Sequence, residues 1–347
     1  MKTTKVDLPR GPSPAATGAT MQSVVQDRYA PAPEEALRLA EVGRPAAGAD
    51  QVLVRVHAAS VDRGTWHVMA GLPYPIRLAG FGLRRPKYAN PGRNLAGTVE
   101  AVGADVSGFR PGEEVFGFGE STFAEYALSR PGKLAAKPGK LSFDQAAAVP
   151  VSGLTALQAV RDHGRIRAGE KVLVIGASGG VGTFAVQIAK AFGAEVTGTS
   201  GTAKLAMVRA LGADSVLDHT REDFADGGPR FDVVLDIGGN ARLSRLRRAL
   251  VPGGRLVIVG GETSGRLLGG SGRQVRAMLL SPFVGQELGT FVASENAADL
   301  IALRALIETG QVTPVVDRTY PLAETAAAVR HLLDGQVRGK LVVQVSR

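Results

Sequence analysis

The sequence predicts an α/β protein of two parts, a small β-barrel and a doubly wound parallel sheet. Three observations predict it. The chain has 347 residues, long for one core, so two domains are the default. From Ser23 to about Ala148 the pattern is mostly short strands punctuated by Gly and Pro. Beyond Phe143 strand and helix alternate, which implies parallel strands with crossover helices.

Residues 1–20 are aperiodic and rich in Pro, Gly, Ala and Thr. They are expected to be a disordered extension, with the folded chain starting near Met21. Gln51–Ala58 alternates as a strand does, and Ala96–Gly103 and Glu114–Phe118 are two more. Helical periodicity begins at Phe143. Strands are then expected at 171–176, 194–199, 231–236 and 255–260, and helices at 180–192, 203–212 and 240–250. A helix over Leu322–Leu333 and a strand over Lys340–Val345 close the chain, the strand returning to the first domain. The boundaries expected are 21–148 with 313–347 for the barrel, and 149–312 for the parallel sheet.

Apolar content of 44% and charge of 21% are ordinary for a globular protein. The absence of cysteine excludes disulfides, thiolate metal sites and thiol catalysis. A net charge of +9 permits a nucleic acid or an anionic membrane as partner. Aromatics are only 5%, and no Lys/Arg block is interleaved with them, so a base-stacking platform is poorly supplied. Neither partner is expected. The stretch Arg242–Arg248 reads as a solvated helix face with Leu243, Leu246 and Leu250 turned inward. No uncharged apolar run reaches 18 residues and no signal peptide opens the chain, so a cytoplasmic place is expected.

The stretch Val172–Ser200 carries the chemistry. A strand feeds Ala177-Ser178-Gly179-Gly180-Val181-Gly182, and a helix follows. That is the dinucleotide-binding arrangement. Gly182 lets helix and strand pack closely, Gly179 lets the backbone approach a pyrophosphate, and the helix offers its free N–H groups to phosphates. Ala177 stands for the first glycine of the usual fingerprint. The bland alternative is a tight strand–helix turn that binds nothing. NAD-selecting sites end the next strand in an acid that holds the ribose 2′-hydroxyl. Here that strand runs into Thr199-Ser200-Gly201-Thr202-Ala203-Lys204. A hydroxyl and a lysine suit a 2′-phosphate, so NADPH is the expected cofactor. His219 lies after the following strand, either at the adenine ribose or incidentally.

Taken together, His57–Asp62, Pro91–Gly97, Phe123–Tyr126, Val149–Ala156, the glycine turn, Asp236–Gly239 and Pro252–Gly260 resemble the medium-chain dehydrogenase/reductase superfamily. The nearest branch is that of the zinc-independent quinone oxidoreductases, the zeta-crystallin-like proteins. The resemblance covers most of the chain from Met21 to Val345. It implies a GroES-like barrel with an inserted Rossmann domain, an active site in the cleft between them, and a homodimer. The zinc branches carry a Cys or Asp ligand near 57–62 and a His-Glu pair where this chain has Arg93-Asn94. Asp62 with His57 or His67 makes no convincing ligand set, so no metal is expected. Reduction of a quinone or an α,β-unsaturated carbonyl by NADPH hydride is then the expected reaction. An alcohol/ketone oxidoreductase and a non-enzymatic cofactor- or RNA-binding protein are the rivals.

The quinone oxidoreductases usually have Asn where this chain has Asp62, and Asp where it has Asn94. Acid and amide have changed places, which is explained if the two side chains share one polar network. Asp62 is then either a proton donor or a turn and cap residue. By the same resemblance Trp66, His67 and Tyr74 border the substrate. Trp66 or Tyr74 offers a ring to stack on, or packs in the core; His67 is a general acid by type, or structural. The Thr155 neighbourhood and Gly260 approach the nicotinamide, Thr155 as a helix-start residue. Lys340 reaches the cofactor phosphates or is a solvated strand-edge lysine. Gly261–Thr290 shapes the pocket or a dimer contact, with a membrane-surface helix around Arg273 and Arg276 as the rival.

Overall fold

The structure, a computed structural model, describes residues 18–227, 230–238, 240–260 and 271–346. Contacts divide the chain into two units. One holds the chain up to Pro150, Glu295–Ile301, and everything from Val316; the other holds Val151–Ser294 and Ala302–Val315. The first carries β1 (Thr20–Val25), β2 (Arg38–Gly43), β3 (Val52–Val61), β4 (Asn94–Val102), β5 (Glu114–Phe118), β6 (Tyr126–Ser129) and β7 (Leu134–Ala136). The second carries β8 (Lys171–Ile175), β9 (Glu195–Ser200), β10 (Ser215–Asp218), β11 (Phe231–Asp236), β12 (Leu250–Ile258) and β13 (Glu287–Thr290). β14 (Val316–Pro321) and β15 (Lys340–Gln344) rejoin the first. The helices are α1 (Pro33–Ala36), α2 (Arg63–Ala70), α3 (Phe143–Ala147), α4 (Pro150–Gln158) and α5 (Gly180–Ala191). After them come α6 (Leu205–Ala210), α7 (Leu243–Ala249), α8 (Ser271–Leu280), α9 (Ala297–Glu308) and α10 (Thr325–Leu333).

The larger sheet of the first unit has the order β14-β15-β3-β4-β5-β7, with β6 also on β3. β3 is its spine. It pairs β4 along its length, β6 over Val52–Arg55 and β15 over Ala58–Val61. Val52, Val54 and Val56 pack with Leu95, Val99 and Val115 in one core. Ala59 and Val61 join Met69, Tyr320, Leu341 and Val343 in another. Each such valine contributes about 1.5–3 kcal/mol by leaving water.

The second sheet has the order β10-β9-β8-β11-β12-β13, and every pairing in it is parallel. Val172, Leu173 and Val174 are fully buried, as expected of a strand covered on both faces. Order reverses between β8 and β11, so the turn after β8 lies at a switch point, where such sheets bind ligands.

The expected strands and helices are present, with corrections at their ends. Thr20 already opens β1, so the folded chain begins before Met21; residues 1–17 of the expected extension lie outside the described residues. β12 starts at Leu250 and not at 255, because Pro252-Gly253-Gly254 forms a bulge opposite β11, with Gly253 at φ +76°. The helix expected at 203–212 is a 3₁₀ turn over Thr202–Lys204 followed by α6, and Leu322–Glu324 forms a similar turn before α10. Thr155 lies inside α4 rather than at a helix start, its hydroxyl donating to the Val151 carbonyl at 2.7 Å. Leu246 in α7 and Leu250 just after it are buried as expected, and Leu243 is half-buried.

Candidate functional site

The turn after β8 is built by three glycines with different duties. Gly176 takes φ +83°, and a methyl there would stand 2.7 Å from the Gly238 nitrogen. It, and not Ala177, makes the tight turn that sequence reading gave to the first fingerprint position. Ala177 is fully buried, its N–H donating to the Thr199 carbonyl at 3.0 Å. A methyl on Gly182 would meet the Gly176 oxygen at 2.1 Å, so only glycine lets α5 pack this close. Gly179 is different. The nearest atom to a methyl there is 3.5 Å away, so the protein leaves that space open.

Gly179 is also the N-cap of α5, and no side chain caps the helix. The first N–H groups, at Gly180, Val181 and Gly182, therefore have no intrahelical partner and sit at the positive end of a 12-residue helix. Ser178, 8% exposed, is the one hydroxyl in the turn. This is an anion cradle of backbone donors.

At the neighbouring strand ends, Ser200 is buried and its hydroxyl donates to the Gly201 carbonyl at 3.1 Å. Lys204 closes the 3₁₀ turn. His219 is exposed, its N–H donating to the Ser200 carbonyl at 3.1 Å. Sequence reading missed Asp218, which pairs with Ser200 across β9 and β10. The Thr202 hydroxyl donates to Asp218 Oδ2, and the Thr220 hydroxyl to Oδ1 at 2.7 Å. These two hydroxyls hold the Asp218 carboxyl down to about 2. The missed signal was an acid ending the next strand, one strand further than the usual fingerprint places it.

Beyond β11, Arg273 of α8 fastens the end of the strand. One of its terminal nitrogens lies 2.6 Å from the fully buried Asp236 carboxylate and 3.0 Å from the Ala241 carbonyl; the other donates to the Gly260 carbonyl at 3.0 Å. A methyl on Gly260 would strike the Ile237 oxygen at 2.1 Å, so the chain passes there only as glycine. Arg273 is thus an anchor inside the second unit. Gly239 and Gly261–Gly270 lie outside the described residues.

In the first unit the exchanged pair meets. The Asn94 amide donates to Asp62 Oδ2 at 2.8 Å and to the Ser60 carbonyl at 3.3 Å. Asp62 is the N-cap of α2, its Oδ1 accepting from the Thr65 N–H at 3.0 Å in a capping box. Lys340 is 2% exposed, and its ammonium donates to the Val61 carbonyl at 3.0 Å. Burial pushes its pKa down, and the Asp62 charge partly offsets that. Lys340 was expected on the cofactor phosphates or in solvent; it is a buried cation of its own sheet.

Around α2, His67 Nδ1 lies 2.7 Å from the Leu72 carbonyl, which can accept only, so Nδ1 carries the proton and Nε2 is left as the second position. Trp66 donates to the Pro31 carbonyl at 3.1 Å and packs, partly buried, against the core. Tyr74 keeps an exposed ring, with the Arg77 guanidinium 5.0 Å from its centre. Arg93 is bound to Glu295 through two hydrogen bonds of 2.8 Å, and Lys133 reaches the same carboxylate at 2.8 Å. His57 stacks on Phe143 with 4.2 Å between centroids, and its ring nitrogens face Thr98 and Ser346.

Comparison with known proteins agrees with this geometry. The family description "Alcohol dehydrogenase GroES-like domain" matches residues 48–159, and "Zinc-binding dehydrogenase" matches 211–343. The human quinone oxidoreductase is 31% identical over 345 residues, covering 94% of this chain and 99% of that protein. The 2-methylene-furan-3-one reductase of Solanum lycopersicum is 32% identical over 311 residues, 85% of this chain and 71% of that one. The quinone oxidoreductase structure from Coxiella burnetii superposes with a TM-score of 0.82 at 28% identity, covering 94% of this chain and all of that one. A structure titled NAD-dependent alcohol dehydrogenase gives 0.78 at 30% identity, again over 94% of this chain.

The word zinc in one description does not fit the residues present. The chain has no cysteine, Arg93 stands ion-paired beside the carboxylate–amide pair, and His57 is stacked away. Among the described residues no cluster of three metal-ligating side chains forms. The turn after β8, by contrast, has the open cradle that a dinucleotide pyrophosphate needs. With an uncapped helix behind that turn and relatives matching nearly end to end, the chain belongs to the medium-chain dehydrogenase/reductase superfamily, in its quinone oxidoreductase branch, as a nicotinamide-dependent oxidoreductase with a GroES-like and a Rossmann-type part.

Proposed function

We propose that the protein is an NADPH-dependent reductase of quinones or α,β-unsaturated carbonyls that works without zinc. The observation that carries this reading is the uncapped start of α5 behind the open space at Gly179. When bound, the nicotinamide supplies a hydride to an electrophilic carbon. The N–H groups of Gly180, Val181 and Gly182 hold the pyrophosphate, Gly260 and the Thr155 helix flank the ring, and Tyr74 offers the substrate a flat face. The chain otherwise orients the reactants and excludes water.

Asp62 serves as a positioning residue in this scheme. Both its oxygens accept from N–H donors, which fixes the start of α2. His67, with Nδ1 fixed on Leu72, would be the proton source through Nε2 in its doubly protonated, imidazolium form. The preference for NADPH rests on Ser200, Gly201 and Lys204 at a strand end without an acid, with His219 beside them. One observation favours NADH instead: the charged Asp218, one strand over, would repel a 2′-phosphate. Against that, its oxygens already accept from Thr202 and Thr220.

The same reading carries a homodimer paired along β13, the edge strand of its sheet, beside the exposed Met278, Leu279 and Phe283. Among the described residues no helix is long and apolar enough to cross a membrane. A cytoplasmic place without a nucleic-acid partner completes the proposal. The test is NADPH consumption with a panel of quinones and enones, against NADH. Oxidation of saturated alcohols with NADP⁺, and no turnover of the panel, would replace it with the alcohol dehydrogenase reading.

A further inference from the structure

Arginines line a cavity of the second unit at the strand ends opposite the glycine turn. The cavity has about 710 Å³ and is lined by Arg230, Arg247 and Arg248, with Ser244 and Gln286 beside them and Leu250 below. Arg230 directly precedes β11 and Gln286 directly precedes β13. The glycine turn follows the other end of the parallel β8, whose five residues, at about 3.3 Å each, put roughly 17 Å of strand between the two ends.

The charge here is one-sided. Among the described residues no carboxylate lines the cavity. Of the acids on the elements around it, Asp223 pairs with Arg245 at 2.6 Å, Glu170 with Arg255 at 2.6 Å and Glu287 with Arg165, while Asp232 accepts from the Lys171 N–H at 2.8 Å. Arg248 adds only a weaker field to that of Arg245 on Asp223. None of the three lining arginines has a salt-bridge partner among the described residues.

The arginines are also partly fixed. Arg247 Nε donates to Gln286 Oε1 at 3.1 Å, while Gln286 Nε2 donates back to the Arg247 carbonyl at 2.9 Å. A terminal nitrogen of Arg230 donates to the Arg248 carbonyl, which covers a free carbonyl at the end of α7. The remaining N–H groups are thus presented with less entropy to lose on binding. Guanidinium forks match phosphate oxygens in pairs. No aromatic side chain lines the cavity, so nothing there stacks a base.

We propose that this cavity is a second anion site, for a small ligand carrying two or more phosphate groups, separate from the coenzyme. Inorganic pyrophosphate and tripolyphosphate are the probes. Calorimetric titration of the full chain at low salt is compared with the double variant Arg230→Gln/Arg248→Gln. The glycine turn is the same in both proteins, so any pyrophosphate bound there cancels. The expected result is at least a tenfold weaker tripolyphosphate affinity in the double variant, and in the wild type a steep loss on adding salt. NADPH binding, followed in the same two proteins, stays unchanged, so this site and the coenzyme reading fail separately. Arg248→Gln alone, at an exposed position, keeps the comparison possible if the double variant is poorly folded; it is expected to weaken binding several-fold. Equal affinity in wild type and variants overturns the proposal. So does a single-stranded oligonucleotide that binds tighter than tripolyphosphate with the same arginine dependence, since that makes the surface a nucleic-acid site.

Discussion

The Asn94 side-chain amide donates to the Asp62 carboxylate at 2.8 Å, joining the start of β4 to the cap of α2. The pair tolerates exchange only as a pair. Asn94→Asp sets two carboxylates face to face and is expected to cost about 1–3 kcal/mol. Adding Asp62→Asn should restore most of it, because asparagine also caps a helix. Urea midpoints of the two singles and the double decide it; simple additivity refutes the coupling.

Gly179 and Gly182, three residues apart in the glycine turn, should respond in opposite ways to a methyl group. Gly182→Ala forces a methyl to 2.1 Å from a backbone oxygen and should destabilise the second unit by about 1–3 kcal/mol or more. Gly179→Ala meets nothing nearer than 3.5 Å and should change stability by less than about 1 kcal/mol. It should nonetheless weaken NADPH binding at least tenfold. Thermal melts and coenzyme titrations of the two variants separate a packing glycine from a ligand glycine.

Coenzyme choice turns on Lys204 and Asp218. Lys204→Ala should lower the preference for NADPH over NADH by tenfold or more. Asp218→Asn removes a charge held at all ordinary pH and should raise that preference. Fluorescence titration with both reduced coenzymes measures the ratios; an Asp218→Asn protein that keeps its ratio or shifts toward NADH would refute the repulsion of a 2′-phosphate by this carboxylate.

Glu295 gives the first unit an acid-sensitive tie. Its burial favours the neutral acid, yet Arg93 and Lys133 outweigh that and hold its pKa below the usual carboxylate value. With the folded pKa depressed, the stabilisation is present above the unfolded value, near 4.5, and is lost as pH falls through the folded one. Glu295→Gln should therefore be less stable at pH 7 and lose less on acidification than the wild type. Parallel melting profiles of both proteins between pH 3 and 7 provide the check.

Much of this was legible before any coordinates. Strand–helix alternation marks β8, α5, β9 and β11, and the buried stretches of β8 and β11 read as apolar runs. The Asp62–Asn94 exchange pointed to a contact that the geometry contains. Elements whose pairing is decided at long range were not legible: β1, β13 and β14 carry no strong local pattern and exist through their partners. The duty of Gly176 was hidden because a positive φ leaves no mark on composition. Lys340 was misjudged because its burial comes from neighbours remote in sequence. Trp66 likewise found its partner at Pro31, 35 positions away.

β15 sits between β3 and β14, and its Lys340 binds Val61 across 279 positions of chain. A ribosome therefore finishes the second sheet's residues before it delivers the strand that completes the first. Until β15 emerges, one side of β3 over Ala58–Val61 stays open to foreign strands. Removing Lys340–Gln344 would thus disable a sheet whose central strand was made some 279 positions earlier.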